Sequence, residues 1–305
     1  MKIIQSFWTK PYKHINVLGG YSNGWHHSKL ESNTSEAIQK SVKFYELSAK
    51  CLRKLGYTIE LFTDQEGASL ISQNIYDNVN TSLDAIKDEP AELWTIGKIY
   101  SLEKAIEMSN EPCIHVDHDI FFRKPEIIKE RIECDWDILV QSKEIDDSYK
   151  EAYEESIDIF CNIFGIHPFT LRFLKTYNFC YNCGFLGFKN KEISDKYIPA
   201  YYKLYKHISK QKLNMNKFIG LRAYCGNKGF GLKSNMNCII EQILLTKIAN
   251  FYNFYTREIF PVSSWCGGAG RSRIISSKKL GFKHASGQRK YDKENFEKII
   301  SEFNT

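Results

Sequence analysis

The sequence predicts an α/β fold in which a mostly parallel central sheet is flanked by helices. Short apolar runs of strand length alternate with segments whose apolar residues recur every three or four positions, as they do in amphipathic helices. The chain has 305 residues and is 43% hydrophobic, which is enough for a full-sized core. Its charged fraction of 26% is typical of a globular protein. We expect one domain over residues 1–305 with a C-terminal elaboration, because no linker or repeat interrupts the pattern.

The first part of the chain alternates strands and helices. A strand is predicted over 1–8, an amphipathic helix over 35–56, a strand over 57–62, a further amphipathic helix over 93–108 and a strand over 113–116. This order is typical of a doubly wound parallel sheet, whose ligands bind at the carboxyl ends of the strands.

The second part continues with less regular spacing. A helix is predicted over 125–133, a strand over 137–141, helical segments to about 177, a strand over 180–188, and helices over 236–250 and 293–303. A basic helix, described below, lies between the strand over 180–188 and the helix over 236–250.

Composition excludes several classes of protein. The N-terminal apolar run is too short for a signal peptide, and no run of about 18 apolar residues predicts a membrane span. The nine cysteines are scattered through apolar patterns, as reduced cysteines are in cytoplasmic proteins. The net charge is a modest +6, and no nucleic-acid-binding motif accompanies it, so we expect no nucleic acid partner.

Part of the positive charge is concentrated between Lys196 and Arg222, where no acidic residue occurs. This range contains five lysines in the stretch Lys203–Lys217, namely Lys203, Lys206, Lys210, Lys212 and Lys217, and the tyrosines Tyr197, Tyr201, Tyr202 and Tyr205. One interpretation is a solvated helix face. The other is a surface that contacts an anionic membrane, which would place a cytoplasmic protein peripherally at the inner face of that membrane.

The sequence Asp117-His118-Asp119 follows the apolar run that ends at Val116. Two carboxylates at a strand end suit Mg²⁺ or Mn²⁺, which take hard oxygen ligands and leave positions open for substrate phosphates. Capping of the following turn is the alternative.

A second group of residues lies far downstream, in His284-Ala285-Ser286-Gly287-Gln288-Arg289-Lys290. The imidazole of His284 can supply a metal ligand, Gly287 lets the backbone approach a phosphate, and Lys290 can place a charge against a pyrophosphate. A surface turn is the alternative.

Together the two motifs resemble those of the retaining glycosyltransferases of the glycogenin and bacterial lipooligosaccharide galactosyltransferase family, which have the GT-A fold. The resemblance implies that Asp117, Asp119 and His284 hold Mn²⁺ (or Mg²⁺). It also implies that Asp117, Gly287 and Lys290 contact the diphosphate of a nucleotide sugar. A separate bacterial branch of GT-A proteins is the alternative to membership of the named family.

Three shorter matches extend the resemblance. Asn182 and Gly184 match an Asn-x-Gly strand beneath the donor sugar, Glu241-Gln242 resembles a catalytic Asp-Gln pair, and Lys98 matches a basic residue near the donor. The resemblance implies that Asn182, Glu241 and Gln242 are catalytic. Each match has an alternative: a turn cap for Asn182, a solvated helix residue for Glu241 and a surface lysine for Lys98.

Two further donor-binding candidates follow from the predicted sheet. Trp8 and Asp64 come directly after the first two strands, and Trp8 could stack on a nucleotide base or belong to the core. The predicted activity is metal-dependent transfer of a hexose from a UDP-sugar, UDP-glucose or UDP-galactose, to a saccharide or lipid-linked acceptor. The alternatives are a nucleotide-sugar-binding protein without turnover, a peripheral membrane interaction protein and a phosphatase.

Overall fold

The computed structural model describes residues 1–13, 34–109, 111–144, 164–165, 179–210, 237, 239–260, 274–277, 281–285 and 293–304. Within these residues the α/β fold is confirmed: a seven-stranded, mostly parallel mixed sheet is flanked by helices. The helical segments predicted between the strand over 137–141 and residue 177 fall on residues outside the described ranges, apart from 142–144, which belong to a strand, and Phe164 and Gly165.

The elements have the following bounds. The strands are β1 (Lys2–Phe7), β2 (Thr58–Thr63), β3 (Asn78–Asn80), β4 (Cys113–Val116), β5 (Ile120–Phe122), β6 (Ile138–Glu144), β7 (Cys180–Phe188), β8 (Thr256–Glu258), β9 (Ile274–Ser277) and β10 (Phe282–Ala285). The helices are α1 (Lys10–Lys13), α2 (Thr34–Arg53), α3 (Gln65–Leu70), α4 (Thr95–Met108), α5 (Pro125–Glu133), α6 (Lys191–Ser209), α7 (Leu244–Phe251) and α8 (Lys293–Phe303). Short 3₁₀ turns lie at Gln73–Ile75, Ser82–Ile86 and Ala91–Leu93, and a π-helical turn, Ile239–Ile243, precedes α7.

The large sheet has the strand order β3-β2-β1-β4-β7-β6-β8. The first four strands are mutually parallel, so the carboxyl ends of β1, β2 and β4 lie along one edge. Strand β7 is antiparallel to both β4 and β6, whereas β6 and β8 are parallel. The alternation of strands and helices predicted the parallel half, and the antiparallel strand is inserted where that alternation becomes irregular.

A separate three-stranded sheet, in the order β5-β10-β9, lies next to the end of β4. All three strands have three or four residues, too few to show a hydrophobic period, and the sequence did not predict them. The antiparallel pairing of β10 with β5 places His284 opposite Ile120. The small sheet therefore brings a C-terminal segment to the carboxyl end of β4.

Buried apolar residues cover both faces of the large sheet. On one side Phe44 of α2 has no exposed surface and contacts the rings of Phe121 and Phe296, with centroid separations of 5.6 and 5.1 Å. These contacts tie α2 to β5 and α8. On the other side, α4, α6 and α7 bury apolar residues that belong to one cluster.

No helix within the described ranges is both long and apolar enough to cross a lipid bilayer.

We expect Phe44→Ala to lower the free energy of unfolding by about 3–5 kcal/mol, because it removes a fully buried ring that joins three elements. Urea denaturation followed by circular dichroism measures this. Leu70→Ala is the control, since Leu70 is 41% exposed and its truncation should change stability by roughly 0.5 kcal/mol or less. Equal losses in the two variants would contradict the packing of α2 on β5 and α8.

Candidate functional site

The two carboxylates of the Asp117-His118-Asp119 motif lie on a tight turn between β4 and β5. The carbonyl oxygen of Asp117 accepts a hydrogen bond from the N–H of Ile120 at 3.3 Å, which closes the turn. The Asp117 side chain is 28% exposed, whereas Asp119 is 6% exposed. The motif thus lies at the end of a buried strand, as predicted, with one carboxylate partly open to solvent.

Lys98 of α4 extends to this turn and forms the centre of a buried ionic cluster. Its ammonium nitrogen is 2.8 Å from Oδ1 of Asp117 and 2.9 Å from Oε1 of Glu241, and it donates a hydrogen bond to the carbonyl oxygen of Cys183 at 2.8 Å. Two carboxylates and a carbonyl oxygen thus surround the ammonium, and the contact with Glu241 is an ion pair without the geometry of a hydrogen bond. Lys98 and Glu241 are 4% and 2% exposed, so neither is the surface residue that the sequence left open as an alternative.

Burial and the neighbouring charges shift the pKa values of Lys98 and Glu241. Burial alone would lower the pKa of Lys98, but the charges of Asp117 and Glu241 outweigh it, and the pKa is raised above its usual value. Burial raises the pKa of Glu241, and Lys98 opposes that shift. Lys98 is therefore charged at any physiological pH, and its charge holds the two carboxylates together.

Strand β7 forms the floor beside Asp117. The carbonyl oxygen of Gly184 accepts a hydrogen bond from the N–H of Asp117 at 2.8 Å, and the N–H of Gly184 donates to Oδ1 of Asn182 at 2.9 Å. A Cβ at Gly184 would lie 2.1 Å from Oε1 of the buried Gln141, so a larger residue here would force the Gln141 side chain to move. Gly184 thus contacts the acidic turn and Asn182 contacts Gly184, and the catalytic role of Asn182 and the donor-binding role of Gly184 stay predictions.

The C-terminal motif enters the site through its backbone. The N–H of Ala285 donates to the carbonyl oxygen of Asp119 at 2.8 Å, and His284 is paired with Ile120. The side chain of His284, and all of Gly287 and Lys290, lie outside the described part of the chain. The described backbone of β10 therefore lies against the acidic turn, and the roles of His284, Gly287 and Lys290 stay predictions.

Glu241 and Gln242 lie on the π-helical turn. Such turns are rare in proteins, and those that occur are frequently found at functional sites. The carbonyl oxygen of Glu241 accepts a hydrogen bond from the hydroxyl of Tyr197 at 3.2 Å. Gln242 is only partly buried, and its Oε1 is 4.0 Å from Sγ of Cys180. Of the predicted pair, Glu241 contacts the ionic cluster directly, and Gln242 lies beside the start of β7.

Trp8 and Asp64 follow β1 and β2 as predicted, and both have structural contacts. Trp8 is 5% exposed and packs in the core against Gly97, the residue before Lys98. Asp64 caps α3 by accepting from the N–H of Gly67 at 2.8 Å, and it accepts from the N–H and hydroxyl of Thr9 at 2.9 and 2.7 Å. Their donor-binding roles stay predictions, and the core position that the sequence left open for Trp8 is the one observed.

His115, which the sequence analysis did not single out, is a neighbour of the site. It lies two residues before Asp117 on β4, is 2% exposed, and its Nε2 is 2.8 Å from the hydroxyl oxygen of Ser6. Its Nδ1 is 3.7 Å from Oδ1 of Asp117. Burial, aided by the charge of Lys98, holds the pKa of His115 well below its usual value, so the ring is neutral. Alternate residues of a strand point to the same face, so the spacing of two residues between His115 and Asp117 could have predicted that the two side chains are neighbours.

The side chains around the acidic turn provide some, but not all, of the ligands that a hard divalent cation needs. Lys98, Asp117, Asp119 and Glu241 together carry one positive and three negative formal charges, and the neutral ring of His115 adds none. Carboxylate oxygens and an excess of negative charge favour Mn²⁺ or Mg²⁺ over softer metals. Among the described side chains, no three His, Cys, Asp or Glu residues converge as a complete set of ligands. Asp117 and Asp119 are the described residues that could hold a metal, and their role as ligands, like that of His284, stays a prediction.

The fold and the site define an α/β protein with a lysine-bridged acidic centre at the carboxyl edge of its sheet. The chain belongs to DUF6734, a family of unknown function whose model matches residues 1–304. No curated protein matches the chain. A solved structure that it resembles is a crystal structure of the galactosyltransferase LgtC in complex with donor and acceptor sugar analogues, at 12% identity and a TM-score of 0.35. The match covers 69% of this chain and 66%, just under two thirds, of that chain.

We expect Lys98→Met to lower the free energy of unfolding by about 3–5 kcal/mol, because it leaves two carboxylates without their shared buried cation. Urea denaturation measures the loss. The control is Lys104→Met on the same helix, where a surface ion pair with Glu107 and a cation–π contact with Tyr100 are lost and the cost should stay near or below about 1 kcal/mol.

A double-mutant cycle with Glu241→Gln tests the coupling. The double variant should lose less stability than the sum of the two single variants, because the second substitution removes a charge that the first one left buried and unbalanced. Strict additivity, or a Lys98→Met variant as stable as Lys104→Met, would contradict the ionic cluster.

We expect His115 to make the protein less stable in acid. Its pKa is lower in the folded protein than the value of about 6.5 in an unfolded chain, so the unfolded state binds the proton more readily. The stability that it contributes is complete above about pH 6.5 and decreases as the pH falls through the folded pKa. Unfolding free energies measured across this range should fall less steeply for His115→Gln than for the native chain, and identical slopes would be evidence against a buried neutral ring.

Proposed function

We propose that this chain is a GT-A glycosyltransferase that transfers a hexose from a nucleotide diphosphate sugar to a saccharide or glycoconjugate acceptor with the help of a divalent metal. One observation carries the proposal. The C-terminal strand that contains His284 pairs with the strand that follows Asp117 and Asp119, although the two segments are distant in the sequence. The first two residues of the C-terminal motif, His284 and Ala285, are thereby adjacent in space to the acidic turn, which supports a shared role of the two motifs.

The residues of the chain would divide the chemistry as follows. Asp117, Asp119 and His284 would hold Mn²⁺ or Mg²⁺, which when bound supplies positive charge against the diphosphate that leaves. Lys290 would add a second positive charge in the same region. Lys98 is buried and already paired with two carboxylates, so its role would be to fix Asp117 and Glu241 rather than to contact phosphate.

The sugar would lie above β7 and the π-helical turn. Asn182 accepts a hydrogen bond from the N–H of Gly184 and is 6% exposed, which fixes its side chain beside Gly184, the residue whose carbonyl oxygen binds Asp117. Glu241 and Gln242 are the candidates to stabilise positive charge on the transferred sugar or to position the acceptor. The glycogenin-like motifs favour retention of configuration, UDP-glucose or UDP-galactose as donor, and a saccharide or lipid-linked acceptor.

We expect Asp119→Asn to lower Mn²⁺-dependent hydrolysis or transfer from a UDP-sugar by a factor on the order of 10²–10³, as does the loss of one preorganised electrostatic group elsewhere. A screen of nucleotide sugars for Mn²⁺-dependent release of UDP first identifies the donor. Asp119 is a cleaner choice than Asp117, because Asp117 also balances the buried Lys98. Asp88→Asn, at an exposed position of equal charge, is the matched control and should keep full activity.

The outcomes separate the proposal from its rivals. Full metal-dependent activity in Asp119→Asn would mean that the metal site is elsewhere. A rise in melting temperature with UDP and Mn²⁺, but no hydrolysis or transfer with any donor, would indicate a nucleotide-sugar-binding protein without turnover. No stabilisation by any nucleotide and no activity would reject the proposal.

A further inference from the structure

One face of α6 carries a stripe of exposed lysines. Lys196, Lys203, Lys206 and Lys210 are all exposed, and their separations of seven, three and four residues place them on one side of an α-helix. No acidic residue occurs in the chain between Lys196 and Lys210. The opposite face, with Tyr197, Tyr201 and Tyr205, is buried in the core, so the orientation of the lysine stripe is fixed.

Exposed aromatic residues form a corner between α7 and β8. Phe251, Tyr252 and Tyr255 are 71%, 44% and 53% exposed, and the rings of Phe251 and Tyr252 are in edge contact at 4.9 Å. Asn253, which follows Tyr252, has a positive φ of 55°, a conformation that asparagine tolerates, and it turns the chain sharply at this point. Phe251, Tyr252 and Tyr255 are therefore exposed to solvent at a tight turn of the chain.

The lysine stripe and the aromatic corner form one surface. The ammonium of Lys196, at the start of the stripe, lies 5.3 Å from the centre of the Tyr252 ring. A row of cations thus begins where the exposed rings begin. Lysines with flexible apolar stems, next to one apolar Phe ring and two Tyr rings with polar hydroxyls, are suited to the boundary between lipid headgroups and acyl chains.

We propose that this surface binds the anionic face of a lipid bilayer, with α6 lying along the membrane and the Phe251–Tyr252 corner inserted among the headgroups. The lysines would supply attraction to anionic lipid, and the rings would supply burial of apolar surface that does not depend on charge. An acidic protein surface would match the lysines, but it would offer the rings no apolar layer to enter. This binding is independent of the glycosyltransferase proposal.

The test is co-sedimentation of the full chain with vesicles. The native chain should bind vesicles of phosphatidylcholine mixed with phosphatidylglycerol and should not bind phosphatidylcholine alone. Replacing Lys203, Lys206 and Lys210 by Gln should reduce the partition coefficient by a factor on the order of 10², since each lysine near an anionic surface contributes roughly five-fold. The matched control replaces Lys129, Lys293 and Lys298 by Gln, which removes the same charge from exposed positions elsewhere and should leave binding unchanged.

A second variant isolates the aromatic corner. Phe251→Ser with Tyr252→Ser should weaken binding several-fold while leaving its salt dependence as in the native chain, because no charge is removed. Binding to anionic vesicles that survives the lysine substitutions, or that falls equally in the control triple variant, would overturn the proposal. So would the absence of binding, or an aromatic variant that binds as well as the native chain. Unchanged circular dichroism and melting temperature identify variants that have kept the fold.

Discussion

The site depends on one buried positive charge. Transfer of a lysine ammonium from water into a protein interior is costly unless opposite charges and acceptors replace its hydration. Here Asp117, Glu241 and the carbonyl oxygen of Cys183 make that replacement, and they belong to the end of β4, the π-helical turn and β7. Because Lys98 itself is on α4, one ammonium fixes four elements relative to one another. The position of Glu241 is thus a consequence of charge balance as much as of helix packing.

The acidic turn is held from the other side by hydrogen bonds of the backbone. Asp117 is fixed by Gly184 on the large sheet, and Asp119 by Ala285 on the small sheet. Two sheets with different strand directions therefore meet at a single turn of the chain. Such an arrangement leaves the side chains of the turn constrained at both ends, which is the kind of preorganisation that electrostatic catalysis requires.

The sequence predicted the elements that have a long and regular pattern, such as α2, α4 and α8, and it placed Asp117 and Asp119 at a strand end. It could not predict β9 and β10, because a strand of four residues has no measurable period. It identified Lys98 and Glu241 only by resemblance and left both open as surface residues. Their burial follows from contacts between distant segments, to which local patterns are insensitive. The π-helical turn at Glu241 was missed for the same reason, since its sequence is also compatible with an ordinary helix.

The pairing of β5 with β10 has a consequence for the order in which the acidic centre of a newly made chain is assembled. Synthesis produces the acidic turn early, whereas Glu241 and then β10 leave the ribosome much later. Contacts between such distant segments require closure of long loops, which slows folding. A nascent chain that ends after β7 contains Lys98 and Asp117 but not yet Glu241, so the buried ionic cluster lacks one of its two carboxylates. The acidic centre is therefore complete only after the π-helical turn and β10 have both been synthesised.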